Sequence, residues 1–98
     1  MELSKQGTLG AGSTVLYTCP VEKTAKLNLK FNNPAANIIT LSKYDSVLMI
    51  TTDIYTFSLS AGDFLVDNNL YILNPNDYLT VNCSAAGTNY LIYIIQFP

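Results

Sequence analysis

The chain has 98 residues, enough for one domain around one core and too few for two. Hydrophobic residues make up 49% and charged residues only 12%, which excludes a disordered chain, since disorder needs the reverse balance. The net charge is −2, Arg is absent and the five lysines (Lys5, Lys23, Lys26, Lys30, Lys43) form no block, so the basic footprint of a nucleic-acid binder is missing.

In chain order, turn signals recur at Gly10–Ser13, Pro20–Lys23, Asn32–Asn37, Asp45-Ser46, Thr52-Asp53, Ser60–Asp63, Asp67–Asn69, Asn74–Asp77 and Ser84–Gly87. Residues 1–13 are expected to be an N-terminal arm or first edge strand, and 14–98 the sandwich domain. Between the turns lie runs rich in Thr, Val, Ile, Tyr and Phe, which suit a pleated, half-buried surface. The predicted strands are Thr14–Cys19, Thr24–Asn32, Ile38–Tyr44, Val47–Thr51, Ile54–Leu59, Phe64–Val66, Leu70–Leu73, Tyr78–Cys83 and Asn89–Phe97, the shortest of them open to merging. Thr24–Phe31 alternates cleanly, with Ala25, Leu27, Leu29 and Phe31 on one side; period two is a strand with one wet face. Leu79, Val81 and Cys83 repeat that pattern, and Tyr55, Phe57 and Leu59 form an inward set. All four prolines fall in turns or at the end, where no ladder donor is needed. The fold class is all-β: a single β-sandwich of about eight short antiparallel strands, jelly-roll-like.

Ala61-Gly-Asp-Phe-Leu65 is echoed by Pro75-Asn-Asp-Tyr-Leu79. Two similar turn-to-strand entries explain the echo better than a duplicated binding site.

The missing residue types narrow the chemistry. Without His or Arg there is no imidazole dyad or triad, no common zinc site and no bidentate guanidinium clamp. The seven carboxylates sit singly beside turn residues, where they cap backbone N–H groups. No enzyme activity and no cofactor are expected. A calcium site at Asp67–Asn69 or Asn74–Asp77 would have one carboxylate each, far from the six or more oxygens that ion takes. Cys19 and Cys83 read as small buried hydrophobes in a reducing compartment, with a single disulfide as the alternative. The longest apolar runs, Val47–Ile50 and Tyr90–Ile95, fall short of the ~20 residues of a spanning helix, and no signal peptide opens the sequence. No membrane partner is expected.

Leu16-Tyr-Thr-Cys-Pro20 and Lys23-Thr-Ala25, followed by a long alternating strand, resemble the start of small β-sandwich virion proteins of tailed bacteriophages. Leu59-Ser-Ala-Gly-Asp63, Asp77-Tyr-Leu79 and Ser84-Ala-Ala-Gly-Thr-Asn-Tyr90 are similar to the second half of that pattern. Glu22 departs from it, standing where the family often has Gly. The resemblance implies a structural component of the virion, assembled in the host cytoplasm: a capsid auxiliary or decoration subunit, a head-fibre base or a tail part.

The function expected from all this is a capsid auxiliary or decoration subunit that oligomerises and binds a larger virion protein, such as a capsid or tail protein. The alternative is a glycan-binding module of a fibre or adhesin, using exposed members of the seven tyrosines as stacking platforms and Asn and Asp side chains as partners for sugar hydroxyls. The last strand is apolar on both faces: Leu91, Tyr93, Ile95 and Phe97 on one, Tyr90, Ile92 and Ile94 on the other. A sandwich strand turns only one face to its own core, so the second needs a cover. Tyr90, Ile92 and Ile94, with Val47 and Met49 from the other apolar run, are the candidate oligomer interface, and a homotrimer is the favoured assembly.

Overall fold

The alternation at Thr24–Asn32 organises the molecule. In the computed structural model, which describes residues 2–33 and 36–98 (66–70 by backbone course alone), this strand lies inside a four-stranded sheet and buries Ala25, Leu27, Leu29 and Phe31. Eight strands are formed: β1 (Glu2–Thr8), β2 (Gly12–Thr18), β3 (Thr24–Asn32), β4 (Asn37–Asp45), β5 (Ile50–Leu59), β6 (Phe64–Leu73), β7 (Tyr78–Cys83) and β8 (Asn89–Phe97).

The pairing is nested. β4 pairs with β5, β3 with β6, β2 with β7 and β1 with β8, all antiparallel. The chain is thus one long antiparallel ribbon, wrapped until β8 meets β3 and β7 meets β4. The result is two sheets of order β1-β8-β3-β6 and β2-β7-β4-β5, the topology of a jelly roll. Leu16, Ile39, Leu41, Leu79 and Val81 from one sheet meet Leu27, Leu29, Leu73, Ile92 and Ile94 from the other in a single core.

Three sequence expectations change. Val47–Met49 is not a strand but the tip of the β4–β5 hairpin, with Met49 at a φ of 57°. Asp45 fixes the tip by accepting the Val47 and Leu48 N–H groups through Oδ1. Thr52-Asp53 is not a turn. β5 runs through it with one extra residue, Ile54, as a bulge, and Ser42 Oγ donates to Asp53 Oδ1 at 2.6 Å. At Asp67–Asn69 the backbone likewise continues as β6, with its register shifted against β3 between Leu27 and Leu29. A third bulge, in β2, turns consecutive Leu16 and Tyr17 toward the interior. The calcium reading of Asp67–Asn69 rests on side chains outside the described residues.

The echoed turns share one mechanism. At Pro20–Lys23, Ser60–Asp63 and Asn74–Asp77 the fourth N–H donates to the first carbonyl, and the third residue (Glu22, Gly62, Asn76) has positive φ. These are type II turns. Glu22 takes the left-handed conformation that Gly adopts most readily, so the first turn keeps its form. In the latter two, the closing Asp also accepts the first residue's N–H, Ser60 to Asp63 and Asn74 to Asp77.

Buried polar groups tie each end of the sandwich. At one end, Thr88 Oγ1 donates to Asn33 Oδ1 at 2.6 Å and accepts from Asn37 Nδ2 at 2.8 Å. Asn33 also donates to the Leu59 and Ser60 carbonyls, while Asn37 Oδ1 accepts from Ser84 Oγ and the Ala85 N–H. The expected Asn32–Asn37 turn is anchored at both ends by this network; residues 34–35 lie outside the described residues. At the other end, Asp77 accepts from the Ser46 N–H, Ser46 Oγ and the Asn74 N–H, and Lys43 Nζ stands 3.8 Å away. A carboxylate this buried persists because three hydrogen bonds and a nearby ammonium offset its lost hydration.

Cys19 and Cys83 are free and buried. Cys83 pairs with Gly12 and Thr18 with Tyr78, so the cysteines stand at opposite ends of the β2–β7 ladder, roughly 20 Å apart at ~3.3 Å per residue. No disulfide joins them. Burial, and for Cys19 the Asp77 carboxylate, push both thiols up from their ordinary value, which keeps them protonated and unreactive at neutral pH. Replacing both with Ala is expected to lower stability by about 1–2 kcal/mol each, with a melting temperature insensitive to reductant before and after. A melting temperature that falls on reduction of the unmodified chain would show a disulfide instead.

Candidate interaction surfaces

The candidate interface residues do not form one surface. Ile92 and Ile94 are buried in the core, at 0% and 3% exposure, and Tyr90 packs against it. They are therefore the inward face of β8, turned to this chain's own core. Tyr90 stands opposite Gly7 of β1, where an added Cβ would come within 3.1 Å of the tyrosine ring. The outward face is the other set, with Tyr93, Ile95 and Phe97 exposed and Leu91 half-buried.

Neighbouring strands partly cover that outward stripe. β8 lies between β1 and β3, so Ile95 faces Lys26 and Leu91 faces Lys30. Lys26 Nζ lies 5.2 Å from the Phe97 ring centre, and Lys30 Nζ lies 5.3 Å from that of Tyr93. Lysine stems lie along apolar surface while the ammonium reaches water, and each contact adds about 0.5–1 kcal/mol at an exposed site. On the β1 side, the facing residues are the polar Glu2, Ser4, Gln6 and Thr8. The stripe is narrow and rimmed by this chain's own polar side chains.

Val47 and Met49 are a different case. They stand at the hairpin tip, 85% and 75% exposed, beside the exposed Leu48 and Ile50. Further along β5, beyond the polar Thr51, Thr52 and Asp53, Ile54 and Tyr55 are also exposed. β5 is the outer strand of its sheet, so one side of its backbone pairs with no strand of this chain. It contains no Lys or Pro, two common devices that blunt such an edge. Its only charge, Asp53, is held by Ser42.

The tyrosines mostly pack. Tyr71 is buried, Tyr17 and Tyr90 lean on the core, and Tyr44 and Tyr78 stack on each other at 4.6 Å. Gln96 Nε2 donates to the Tyr17 hydroxyl. Among the described residues, no three of Cys, Asp and Glu gather into a metal-binding group.

A third surface arose from no sequence signal. A groove of about 540 Å³ crosses the outer face of the β1-β8-β3-β6 sheet, with Gln6, Thr8, Lys30, Asn32, Asn89 and Phe64 in its lining. Its residues come from four strands, so no local stretch of sequence announces it.

No protein-family model and no curated protein matches the chain. Among solved structures, it is similar to a subunit of Bacillus endospore appendages, described as a novel family of disulfide-linked pili. That alignment covers 99% of this chain and 84% of the other, at 14% identity and a TM-score of 0.66. A protein of infectious bursal disease virus, Gx strain, aligns over 96% of this chain and 30% of its own, at 14% identity and a TM-score of 0.35. The Gt strain gives 97%, 30%, 12% and 0.28. The pilus likeness shows a shared all-β sandwich fold; the viral ones are too loose to carry an argument.

Proposed function

We propose that this chain is a structural subunit that works by packing against copies of itself and against a larger partner in an assembled particle. The observation that carries this is the exposed apolar β4–β5 hairpin tip at the end of the outer strand β5. Val47, Leu48, Met49 and Ile50 form an exposed apolar tip, and Ile54 and Tyr55 add exposed apolar side chains beyond Thr51, Thr52 and Asp53; exposed apolar patches mark protein interfaces. The low charge supports the same reading, because a surface rich in Asn, Thr and Ser is buried without stripping water from many ions. A structural role needs no catalytic group, in line with the absence of His and Arg.

In its finer form the proposal is a capsid auxiliary or decoration subunit of a tailed bacteriophage, trimeric, assembled in the host cytoplasm and carried on the virion. The turn motifs from Leu16 to Tyr90 support that setting. The pilus neighbour supports assembly only by analogy of fold. Its disulfide linkage is not proposed for this chain, since both thiols are buried.

The test compares the unmodified chain with Val47→Asp/Met49→Asp by light scattering and by circular dichroism. The expected variant keeps the spectrum and loses the oligomer, because the tip contributes nothing to the core. An oligomer unchanged by both substitutions would place the interface elsewhere and overturn the assignment.

A further inference from the structure

The groove on the β1-β8-β3-β6 sheet lies on the sheet that does not contain β5, so it is separate from the proposed assembly surface. Its volume, about 540 Å³, lies within the ~300–1,000 Å³ typical of small-ligand sites. Its composition narrows the ligand. Gln6, Thr8, Asn32 and Asn89 contribute amides and a hydroxyl, and among the described residues Lys30 contributes the only charge, with no carboxylate in the lining. Thr8 Oγ1 donates to Asn89 Oδ1 at 2.7 Å, so that bond uses the amide oxygen and leaves the Asn89 NH₂ as a donor. Phe64 stands in the same lining with 74% of its surface exposed.

We infer that this groove binds a saccharide. Each sugar hydroxyl is at once donor and acceptor, and carboxamide side chains offer both functions from one planar group. An aromatic face carries negative quadrupolar charge and attracts the weakly positive C–H face of a pyranose. Phe64 supplies such a face beside the amides, and Leu91 adds an apolar patch to the lining. A nucleotide ligand is a poorer match: among the described residues the groove has one cation, Lys30, and the chain has no Arg for phosphate. Among the described residues of the lining, Lys30 has no carboxylate beside it, so acidic sugars fit as well as neutral ones. The exposed ring of this site is Phe64 rather than a tyrosine; Tyr90 also lines it but leans on the core.

The experiment uses the full chain, isotopically labelled, titrated with neutral hexose, N-acetylhexosamine and uronic-acid oligosaccharides while amide shifts are followed. The expected result is saturable shifts confined to residues 6–8, 30–32, 64 and 89–91 with at least one of these probes. Phe64→Ala and Asn89→Ala should each weaken that binding at least tenfold, with circular dichroism and oligomer mass unchanged. Three results overturn the inference: no probe shifts these residues, a bound sugar maps elsewhere, or Phe64→Ala binds as well as the unmodified chain. If the same residues shift only on raising protein concentration, the groove holds a second copy and the inference also fails. Loss of the hairpin-tip oligomer leaves this readout intact, so the two proposals fail separately.

Discussion

The double substitution Ile92→Glu/Ile94→Glu is expected to yield an unfolded chain, while Leu91→Glu/Ile95→Glu is expected to yield a folded one. The four positions alternate along one strand with similar side chains, so only their faces differ. Ile92 and Ile94 lie in the core between the sheets. Two carboxylates there would lose hydration without partners, a cost of several kcal/mol each on top of the lost packing. That exceeds what a domain with roughly 5–15 kcal/mol of stability withstands. Leu91 and Ile95 stand opposite Lys30 and Lys26 on β3. New carboxylates there gain facing ammonium groups, and opposite charges across a ladder are mildly favourable. Far-UV circular dichroism and thermal melts distinguish the two variants. A folded Ile92→Glu/Ile94→Glu variant would contradict the orientation of β8.

Asp77→Ala is expected to lower stability by about 3 kcal/mol, roughly 15 °C in melting temperature for a domain of this size. The substitution strands the Ser46 and Asn74 N–H groups, leaves the Ser46 hydroxyl only the Pro75 carbonyl, and removes the partner of Lys43. The same carboxyl sets an acid limit. Burial alone would raise its pKa, but the Ser46 and Asn74 N–H groups, the Ser46 hydroxyl and the Lys43 ammonium together hold it below the ordinary carboxylate range. The folded state thus binds this proton less readily than the unfolded chain. Its stabilisation is complete above the unfolded pKa near ~3.9 and is lost as pH falls from there through the folded value. Asp77→Asn should flatten this part of the stability profile below about pH 4. An unchanged acid slope would contradict the role given to Asp77.

The strands legible in the sequence were those with one dry and one wet face. β3 and β7 alternate because their outer faces meet water, so parity alone identified Ala25, Leu27, Leu29, Phe31, Leu79, Val81 and Cys83 as core. β8 was legible as a strand but not in orientation, since both its faces are apolar. What decides is the neighbour: Lys26 and Lys30 on β3 cover aromatic rings on the outward side and leave the isoleucines to the core. Glu2–Thr8 was left open as arm or strand because an edge strand with mostly exposed side chains has no burial period. Asp53 and Asp67 misled because Asp favours turns. In the fold, Asp53 sits next to a bulge with Ser42 as its partner, and Asp67 belongs to a strand that shifts register. Of the candidate interface, Val47 and Met49 are exposed and the β8 trio is not. The groove was invisible because Gln6, Asn32, Phe64 and Asn89 meet only after the ribbon has wrapped.

The chain is proposed to assemble through its hairpin tip, and light scattering of the unmodified full chain at rising concentration tests this. The expected result is a mass that settles at a discrete multiple of 10.8 kDa, with three copies favoured. A mass that stays at one chain up to the solubility limit, with the hairpin tip still open to solvent, would contradict it.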